Sequence, residues 1–327
     1  MALIVQKFGG TSVATEESRK ALLHHVKQSK DEGNQIVVVV SALGRFGDPY
    51  ATDSLINLLT SINPQVDART KDLMMSCGEI ISCTMVAHFL KSNGIDAVPL
   101  TGQQAGILTT DTFGNSEVIC INTENIKKSL SENKVVVIAG FQGATIDGDV
   151  TTLGRGGSDT AAVTIGGYLK ADIVDIYTDV EGIAKVDPRV VPEAEYLPKL
   201  TYDDIYMLSL NGAKVIHPRA VKTAQDFNIL TRVRSTFSEK EGTIISTERS
   251  EINGPLIGMA LDKDQDRLYI LFTKQIDDNR KSQVEELLAE KGFKTKSIKW
   301  NGRDVVLNFE EGYLTQSVKV LYEYFHK

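Results

Sequence analysis

Near its start the chain reads Leu3-Ile4-Val5-Gln6-Lys7-Phe8-Gly9-Gly10-Thr11-Ser12, an apolar run that passes into a lysine, two glycines and two hydroxyls. The apolar residues predict a buried strand and the glycines a tight turn at its carboxyl end. Glycine lets peptide N–H groups approach an anion closely, and the lysine supplies a mobile positive charge. We therefore interpret the turn as a phosphate site, at which the helical pattern of residues 16–32 aims its positive end. A pair of glycines is also typical of an ordinary strand-to-helix turn, so the rest of the chain must decide.

Further short apolar runs alternate with helical patterns along most of the chain. With the first run, they cover residues 3–5, 36–40, 97–100, 135–139, 173–177 and 231–233. The run from Val37 to Val40 is apolar on both faces, which is typical of a parallel strand covered by helices on either side. The pattern predicts an α/β fold with a mainly parallel sheet. In such folds ligands bind beyond the carboxyl ends of the strands, where the glycine-rich turns of this chain fall.

The composition is that of an ordinary globular protein. The chain has 327 residues, of which 42% are apolar and 24% charged, which predicts a large core and two domains. A formal charge of -7 without a stripe of Lys or Arg argues against nucleic acid as the main partner.

The cysteines and histidines indicate the compartment and the absence of a protein metal site. Cys77, Cys83 and Cys120 are odd in number and lack metal-ligand spacing, so we expect free thiols in a reducing compartment, the cytoplasm. The histidines are scattered, so no metal is assigned to them. No apolar run approaches the roughly 18 residues of a membrane span, and we expect no membrane partner.

The character of the sequence changes after Gly242. Residues 246–254 are polar and end in the breaker Gly254-Pro255, which predicts a boundary between a domain at 1–245 and a smaller α+β module at 255–327. Within the module, the periodicity predicts strands at 256–261, 267–272, 293–300 and 304–309, and helices at 279–291 and 313–324.

A second segment with chemical potential runs from Thr151 to Asp159 and contains Arg155 and three glycines. An arginine can bind a carboxylate through two parallel N–H bonds, and a glycine turn before a helix can hold anionic oxygens. The helical pattern that follows covers residues 160–169. Ser158 or Asp159 could alternatively be an ordinary helix N-cap, but capping leaves Arg155 without a role.

Two later segments add polar groups. Residues 177–182 and 187–189 form a polar loop after a predicted strand, suited to the ribose and base of a nucleotide. Lys214 is a single cation beside a glycine, and an ordinary surface lysine is the alternative interpretation.

Four of these segments together resemble the signatures of the aspartate kinases. They are Lys7 to Ser12, Ser76-Cys77-Gly78-Glu79, Gly154 to Asp159, and Thr178-Asp179 through Asp187-Pro188-Arg189, in matching order and spacing over residues 1–245. The resemblance implies the three-layer αβα amino-acid kinase fold, with a mainly parallel sheet and a small α+β ACT-like domain. It also implies ATP-dependent phosphorylation of the L-aspartate β-carboxylate to 4-phospho-L-aspartate, the first step toward lysine, threonine, methionine and diaminopimelate.

The resemblance further implies roles for individual residues. Lys7 and Lys214 would stabilise the phosphates and the migrating phosphoryl group, and Asp159 would orient the two lysines. The other ATP-binding residues would be Gly9, Gly10, Ser12, Thr178, Asp179 and Arg189. Arg155 would hold the substrate α-carboxylate and Glu79 its ammonium group, and the aspartate pocket would be completed by Ser41, Thr52, Phe141 and Ser158. Mg²⁺ would bridge the phosphates with few protein ligands. An ionised carboxylate needs no general base, which agrees with this set of groups.

The chain departs from the family pattern at two places. Ala184 stands where the family often has an aromatic residue, which bears on nucleotide affinity.

Aspartate kinases usually carry two tandem ACT modules, whereas the residues after Gly254 have room for one, so we expect a short form with a single ACT-like module. Because residues 273–278 lack the proline and glycine of the family's effector loop, we expect weak or absent feedback inhibition by lysine or threonine. The module could instead pair subunits of a homo-oligomer.

Two alternatives remain at the level of sequence. One is another amino-acid kinase, acting on acetylglutamate, glutamate or a nucleoside monophosphate; the segments at 76–79 and 155–159 disfavour it. The other is a catalytically silent regulatory paralogue that binds aspartate or nucleotide. The charge set formed by Lys7, Arg155, Asp159 and Lys214 disfavours the second alternative, because a chain without catalysis has no physical need for it.

Overall fold

The computed structural model describes residues 1–44 and 47–326. The strands, in chain order, are β1 (Leu3–Phe8), β2 (Gln35–Val40), β3 (Ala97–Leu100), β4 (Ile107–Thr109), β5 (Val118–Ile121), β6 (Val135–Ala139), β7 (Gln142–Ala144), β8 (Val150–Thr152), β9 (Ile173–Thr178), β10 (Ile183–Ala184), β11 (Tyr196–Leu197), β12 (Lys199–Thr201), β13 (Thr231–Ser235), β14 (Thr243–Ser246), β15 (Leu256–Asp262), β16 (Arg267–Phe272), β17 (Thr295–Asn301) and β18 (Asp304–Phe309). The helices are α1 (Thr11–Ala14), α2 (Glu16–Asp31), α3 (Thr52–Thr60), α4 (Ala68–Ser92), α5 (Glu124–Ser131), α6 (Gly157–Leu169), α7 (Tyr202–Leu210), α8 (Pro218–Phe227), α9 (Asp278–Glu290) and α10 (Leu314–His326).

The chain forms two compact units that are not consecutive in sequence. The first unit contains the described residues of 1–181 and 219–241, and the second contains residues 182–218 and 242–326. The segment 182–218 therefore belongs to the same unit as the C-terminal residues. The linear boundary predicted between 245 and 255 stays a prediction of domain organisation.

The first unit is built on a parallel sheet with the strand order β13-β9-β1-β2-β6-β3. All six apolar runs singled out in the sequence are strands of this sheet, and the predicted α/β fold with a mainly parallel sheet is confirmed. Helices cover both faces: Leu22 of α2 and Leu90 of α4 pack with Val38 on one face. On the other face α6 lies so close to β9 that a Cβ on Gly166 would come within 2.5 Å of Val174.

The helix that follows the first glycine turn differs from the prediction. Residues 11–14 form the short helix α1, and α2 begins only at Glu16. The side chain of Thr15 caps α2 by accepting the N–H of Ser18, at 3.1 Å. Because this cap occupies an N–H of the first turn, α2 is not the helix that presents its amino end beside Gly10.

Helix α6 begins three residues earlier than predicted. Its N-cap is Gly156, which adopts a left-handed conformation at φ 70°, and its first residue is Gly157. Ser158 and Asp159 therefore lie in the first turn, and the alternative that either of them is the N-cap is wrong. The second sheet of this unit, with the order β5-β4-β7-β8, leads into this turn.

Helix α4 is long and apolar enough to match a membrane span by length and composition alone. Half of the stretch concerned is buried inside the fold. Its buried residues include Asp72 and Glu79 as well as apolar side chains, and it packs against β3, β6 and β8. A helix buried in this way is typical of the core of a globular unit.

The second unit contains an antiparallel sheet with the order β15-β16-β18-β17. Helices α9 and α10 bury Val284 and Leu321 with Leu268, Val305 and other residues of this sheet. The unit also contains the parallel pair β12-β14 and the small antiparallel pair β10-β11. The strands and helices predicted for residues 255–327 are all present within its described part, and their ACT-like identity stays a prediction.

Candidate active site

A cleft of about 310 Å³ opens in the first unit where β1, β2 and β6 end. It gathers residues from the ends of three parallel strands, the α4 helix and the turn before α6. Nine of the residues predicted to form the site line it, namely Lys7, Gly10, Ser41, Thr52, Glu79, Phe141, Arg155, Ser158 and Asp159. Among the lining residues the structure describes, Gly9, Ser12, Thr178 and Asp179 are absent, although all four belong to the same unit.

An ion pair between Lys7 and Asp159 lies at one side of the cleft. Lys7 Nζ is 2.7 Å from Asp159 Oδ1, and the two side chains are 11% and 15% exposed. A Cβ on Gly9 would lie 3.6 Å from the same Nζ, so the lysine folds back over the glycine turn. Since both charges are largely removed from water, their attraction is stronger than at the surface and holds the ammonium in one place.

Gly10 allows two strand-end loops to meet. A Cβ at this position would come within 2.6 Å of both Ala42 O and Gly44 O. The N–H of Gly44 donates to Gly10 O at 3.2 Å, which joins the turn after β1 to the loop after β2. Glycine is therefore required here by the close approach of backbone atoms.

Glu79 places a buried carboxyl group in the cleft. Its side chain is 3% exposed, and Oε1 accepts the N–H of Ala42 at 3.0 Å. Its other oxygen, Oε2, has no hydrogen-bond partner among the described residues. Burial raises the pKa of Glu79 to about 8, against the opposing effects of the Ala42 N–H and Lys7. The carboxyl group is therefore protonated at neutral pH, and a cation in the cleft would favour its ionisation.

Arg155 is exposed at the mouth of the cleft and makes no hydrogen bond or ion pair with the described residues. Its turn is formed by Gly154 and Gly156, which adopt left-handed conformations at φ 71° and 70°. Arg219 holds the start of the turn by donating to Leu153 O and, at 3.1 Å, to Ser116 O. A free guanidinium on a fixed turn is suited to a carboxylate.

Arg219 and Asp72 are positioning residues that the sequence patterns did not predict. Asp72 is fully buried on α4 and accepts the N–H of Thr152 at 2.8 Å and that of Gly114 at 2.9 Å. These contacts fasten the segment just before Arg155 to the helix that carries Glu79. Arg219 lies in the same stretch as Lys214, but nothing in the spacing there distinguishes a structural arginine from a surface one.

Phe141 lies on the cleft in an unusual backbone conformation, with φ 66°. Its carbonyl accepts the N–H of Leu153 at 2.8 Å, and its ring occupies the space that a Cβ on Gly157 would need, at 2.7 Å. A non-glycine residue in this conformation is strained and persists only where the surroundings enforce it, which is common at functional sites.

The remaining predicted residues are divided between the two units. Thr178 and Asp179 follow β9 in the first unit, and Thr178 Oγ1 donates to Asp179 Oδ1 at 3.2 Å. In the second unit, the exposed Arg189 makes a bidentate pair with Asp187, at 3.0 and 2.9 Å. Lys214, also in the second unit, is exposed in the loop after α7.

The loop that carries Lys214 is fixed within the second unit by Gly212, whose φ is 115°. A Cβ there would lie 2.6 Å from Leu261 O of β15, so the loop packs directly against that strand. Among the described residues no three His, Cys, Asp or Glu side chains gather as a metal-binding group.

The cleft can thus bind a small molecule that carries a positive and a negative group. Arg155 offers a carboxylate partner, Glu79 offers an oxygen to a cation, and the Lys7–Asp159 pair offers a fixed ammonium to further anionic oxygens. The glycine turn beside Lys7 leaves room for such oxygens to approach the backbone.

Residues 2–235 match the amino acid kinase family. The chain is 50% identical over 250 residues to aspartokinase 1 of Bacillus subtilis (strain 168), which covers 76% of this chain and 62% of that protein. The chain therefore spans about three fifths of the length of this relative.

Solved structures of two aspartate kinases also resemble this chain. The crystal structure of an aspartate kinase from Synechocystis superposes with a TM-score of 0.67 at 34% identity, covering 99% of this chain and 56% of that chain. E. coli aspartokinase III, solved in complex with aspartate and ADP, superposes with a TM-score of 0.68 at 23% identity, covering 98% of this chain and 83% of that chain. The second likeness concerns the fold alone.

Proposed function

This chain belongs to the amino acid kinase family, and on that premise we propose that it is an aspartate kinase, which transfers the γ-phosphoryl group of ATP to the β-carboxylate of L-aspartate. The observation that carries the proposal is the composition of one cleft. It joins a fixed lysine, an unpaired arginine and a buried carboxyl group, one oxygen of which has no hydrogen-bond partner among the described residues. A small amino acid with a second carboxylate matches these three groups.

The reaction needs little covalent help from the protein. One oxygen of the β-carboxylate attacks the γ-phosphorus, a new O–P bond forms, and the bond from that phosphorus to the oxygen of ADP breaks. The attacking carboxylate is already ionised, so no proton moves. The protein contributes alignment of donor and acceptor and neutralisation of charge on the phosphoryl oxygens. Lys7 and Lys214 are the cations proposed for this neutralisation, with Asp159 holding Lys7.

The aspartate pocket is proposed from the lining of the cleft. Arg155 binds the substrate α-carboxylate through its guanidinium, and Glu79 binds the ammonium group through Oε2. The remaining contacts to the substrate come from Ser41, Thr52, Phe141 and Ser158. The pairing of Glu79 with an ammonium requires the ionised carboxylate, so substrate binding is linked to release of a proton.

The nucleotide is proposed to bind Gly9, Gly10, Ser12, Thr178, Asp179 and Arg189, with Lys7 and Lys214 on its phosphates. Mg²⁺ would be held mainly by phosphate oxygens and water, a mode typical of this ion. It would neutralise charge on the phosphates when bound. Ala184 stands where the family often has an aromatic residue, so stacking on the nucleotide would differ at that position.

The cellular setting is proposed on the same basis. The product would enter the synthesis of lysine, threonine, methionine and diaminopimelate, and the protein would act in the cytoplasm. The sheet β15-β16-β18-β17 has edge strands, and pairing of such edges or of the helices on it would form a homo-oligomer.

The proposal is tested by capturing the acyl phosphate with hydroxylamine. ATP and Mg²⁺ are supplied with L-aspartate, L-glutamate or N-acetylglutamate in parallel. We expect hydroxamate from aspartate alone, and its loss in Lys7→Ala. Lys20→Ala is the matched control, because Lys20 pairs with Glu16 at an exposed site on α2, 67% exposed. Turnover of L-glutamate or N-acetylglutamate instead of L-aspartate would contradict the proposed substrate. No turnover of any acceptor in a folded protein that binds ATP would favour a silent regulatory paralogue.

A further inference from the structure

Thr236 makes three tertiary hydrogen bonds that no sequence pattern predicts. Its side chain is 1% exposed. Its N–H donates to Thr178 O at 2.9 Å, and its Oγ1 lies 2.6 Å from Ser12 Oγ. Its carbonyl accepts from His25 Nε2 at 2.9 Å. All these residues belong to the first unit, so the junction is internal to it.

Two of the three partners, Ser12 and Thr178, stand at places that the proposed function uses. Ser12 closes the glycine segment that starts at Lys7, and its N–H donates to Gly9 O at 2.9 Å. Thr178 ends β9, beside the residues proposed for the nucleotide. His25 lies on α2, the helix that follows the glycine turn and α1. Thr236 thus fastens the proposed phosphate turn to the proposed nucleotide strand and to the helix behind both.

The hydroxyl of Ser12 is already committed to this junction. Ser12 is 0% exposed and lies outside the lining of the cleft. Because the Ser12 side chain is fully buried and lies outside the lining, its oxygen does not face a phosphate bound in the cleft. Its contribution to ATP binding is therefore to hold the turn.

The junction rests on a rigid aromatic cluster. Tyr177 stacks on Phe8, with ring centroids 4.4 Å apart and an interplanar angle of 7°. His25 packs on the same Tyr177 at 4.6 Å, and the Arg234 guanidinium lies 5.4 Å from the centre of its ring. Packed rings of this kind fix the supports of a site more closely than a loop alone would.

We infer that Thr236 and Ser12 act as a pair of positioning residues that set the glycine turn after β1 at the distance from β9 that ATP requires. This inference rests on the proposed function. It assigns neither residue a contact with the reacting atoms. Its physical basis is that a displacement of about 1 Å at the phosphates is enough to cost a large factor in rate.

The test compares Thr236→Val, which keeps the shape and removes the hydroxyl, with Ser12→Ala, the double variant and Thr236→Ser. Thr164→Val is the matched control, since Thr164 is also buried but its hydroxyl donates within its own helix, to Thr160 O at 2.7 Å. Each full-length variant is examined by circular dichroism, by calorimetric titration with MgATP in the absence of aspartate, and by hydroxamate formation.

We expect Thr236→Val and Ser12→Ala each to weaken MgATP binding and lower kcat about tenfold, with KM for aspartate within twofold of the parent. The double variant should lose no more than either single one, because both remove the same bond. Thr236→Ser should restore most of the function, and Thr164→Val should retain it.

Additive losses in the double variant, or unchanged MgATP binding in a folded Ser12→Ala, would overturn the inference. If Thr236→Val does not fold, Ser12→Ala decides by the same criteria. If the parent forms no hydroxamate, the proposed function fails while the MgATP titrations still decide whether the pair positions the turn.

Discussion

Glu79 shows how burial sets the chemistry of a single side chain in this cleft. A carboxyl group in water ionises far below neutral pH, whereas burial raises the pKa of Glu79 to about 8. One oxygen is held by the Ala42 N–H, and the other has no partner among the described residues. At neutral pH the free protein therefore keeps a neutral carboxyl group, and a cation in the place of the missing partner would favour its ionised form.

This behaviour predicts a pH dependence of aspartate binding. Below pH 8 the substrate must displace a proton from Glu79, so its affinity should fall by up to about tenfold for each unit of pH lowered between 8 and 6. Above pH 8 Glu79 is already ionised, so its effect on the aspartate affinity should level off. Calorimetric titrations with L-aspartate in buffers of different ionisation enthalpy would measure both the affinity and the released proton.

Glu79→Gln is the control for this prediction. The amide keeps the shape but cannot titrate, so the variant should bind aspartate weakly and with no proton release between pH 6 and 8. Proton release of equal size in the variant would show that another group is responsible.

Among single residues, the sequence predicted those whose type alone indicates their chemistry. Lys7, Arg155 and Asp159 stand beside glycines at the ends of strands, and the structure brings them into one cleft with Glu79. Thr236 and Arg219 could not be found in this way. Their positions become apparent only through hydrogen bonds to residues distant in sequence, since Thr236 meets Ser12 across 224 positions.

At the scale of elements, the turn after β1 depends on backbone proximity. The N-cap Gly10 has φ -56°, which any residue can adopt, so its glycine is not required for conformational freedom. The requirement comes from the carbonyl oxygens of Ala42 and Gly44, each 2.6 Å from where a Cβ would lie. The join between the loops after β1 and β2 therefore has no room for a side chain.

Gly10→Ala should destabilise the protein by about 1–3 kcal/mol, because an atom forced into a packed site must displace its surroundings. Gly9→Ala is the matched comparison for stability, since a Cβ there meets only ordinary contacts at 3.6 and 3.8 Å. Urea denaturation of both variants followed by circular dichroism would measure the difference. Equal stability of the two variants would contradict the packing described here.

Elements were predicted more reliably than their ends. The apolar runs identified the six strands of the parallel sheet in the first unit, and the pattern is clearest in β2 and β6, which are buried on both faces. The start of α6 was placed three residues late. Gly156 and Gly157 read as a turn in the sequence, but a left-handed Gly156 is the residue from which this helix begins. Helix α1 was missed since four residues are too few to show a period.

At the scale of the whole molecule, a buried charge joins several parts of the second unit. Asp204 on α7 is 0% exposed and pairs with Arg303 at 2.8 Å and with Arg249 at 3.2 Å. Arg249 lies after β14, and Arg303 joins β17 to β18. Arg249 also donates to Thr273 O at 3.3 Å. The one carboxylate thus connects α7 with three other parts of the unit.

Asp204→Asn should lower the free energy of unfolding by about 3 kcal/mol, because removing one partner leaves two guanidinium groups with an uncompensated charge. Trp300 is the only tryptophan of the chain and lies on β17, so its fluorescence during urea denaturation reports on this unit. Asp278→Asn is the control, because Asp278 is 96% exposed and its pair with Lys281 should contribute little. Similar shifts in the two variants would contradict the role of Asp204.

The division into units could not be predicted from composition. Val186, Val190 and Val191 bury their side chains in the same core as Leu268 and Val305, which assigns the segment 182–218 to the second unit. In sequence these valines sit in a polar stretch after β9 and read as a loop of the preceding domain. A boundary predicted from the sequence is placed at helix or strand breakers such as Gly254-Pro255. A compact unit, in contrast, is defined by which side chains are buried together.

In the proposed function, an oxygen of the aspartate β-carboxylate attacks the γ-phosphorus of ATP. L-Aspartate labelled with ¹⁸O in the β-carboxylate would be incubated with the protein, MgATP and hydroxylamine, and the released phosphate would be examined by ³¹P NMR. Hydroxylamine attacks the carbonyl carbon, so the bridging oxygen leaves with the phosphate. We predict one ¹⁸O in each phosphate and an equal amount of β-hydroxamate. Unlabelled phosphate, released by water attack on ATP, would contradict the claim.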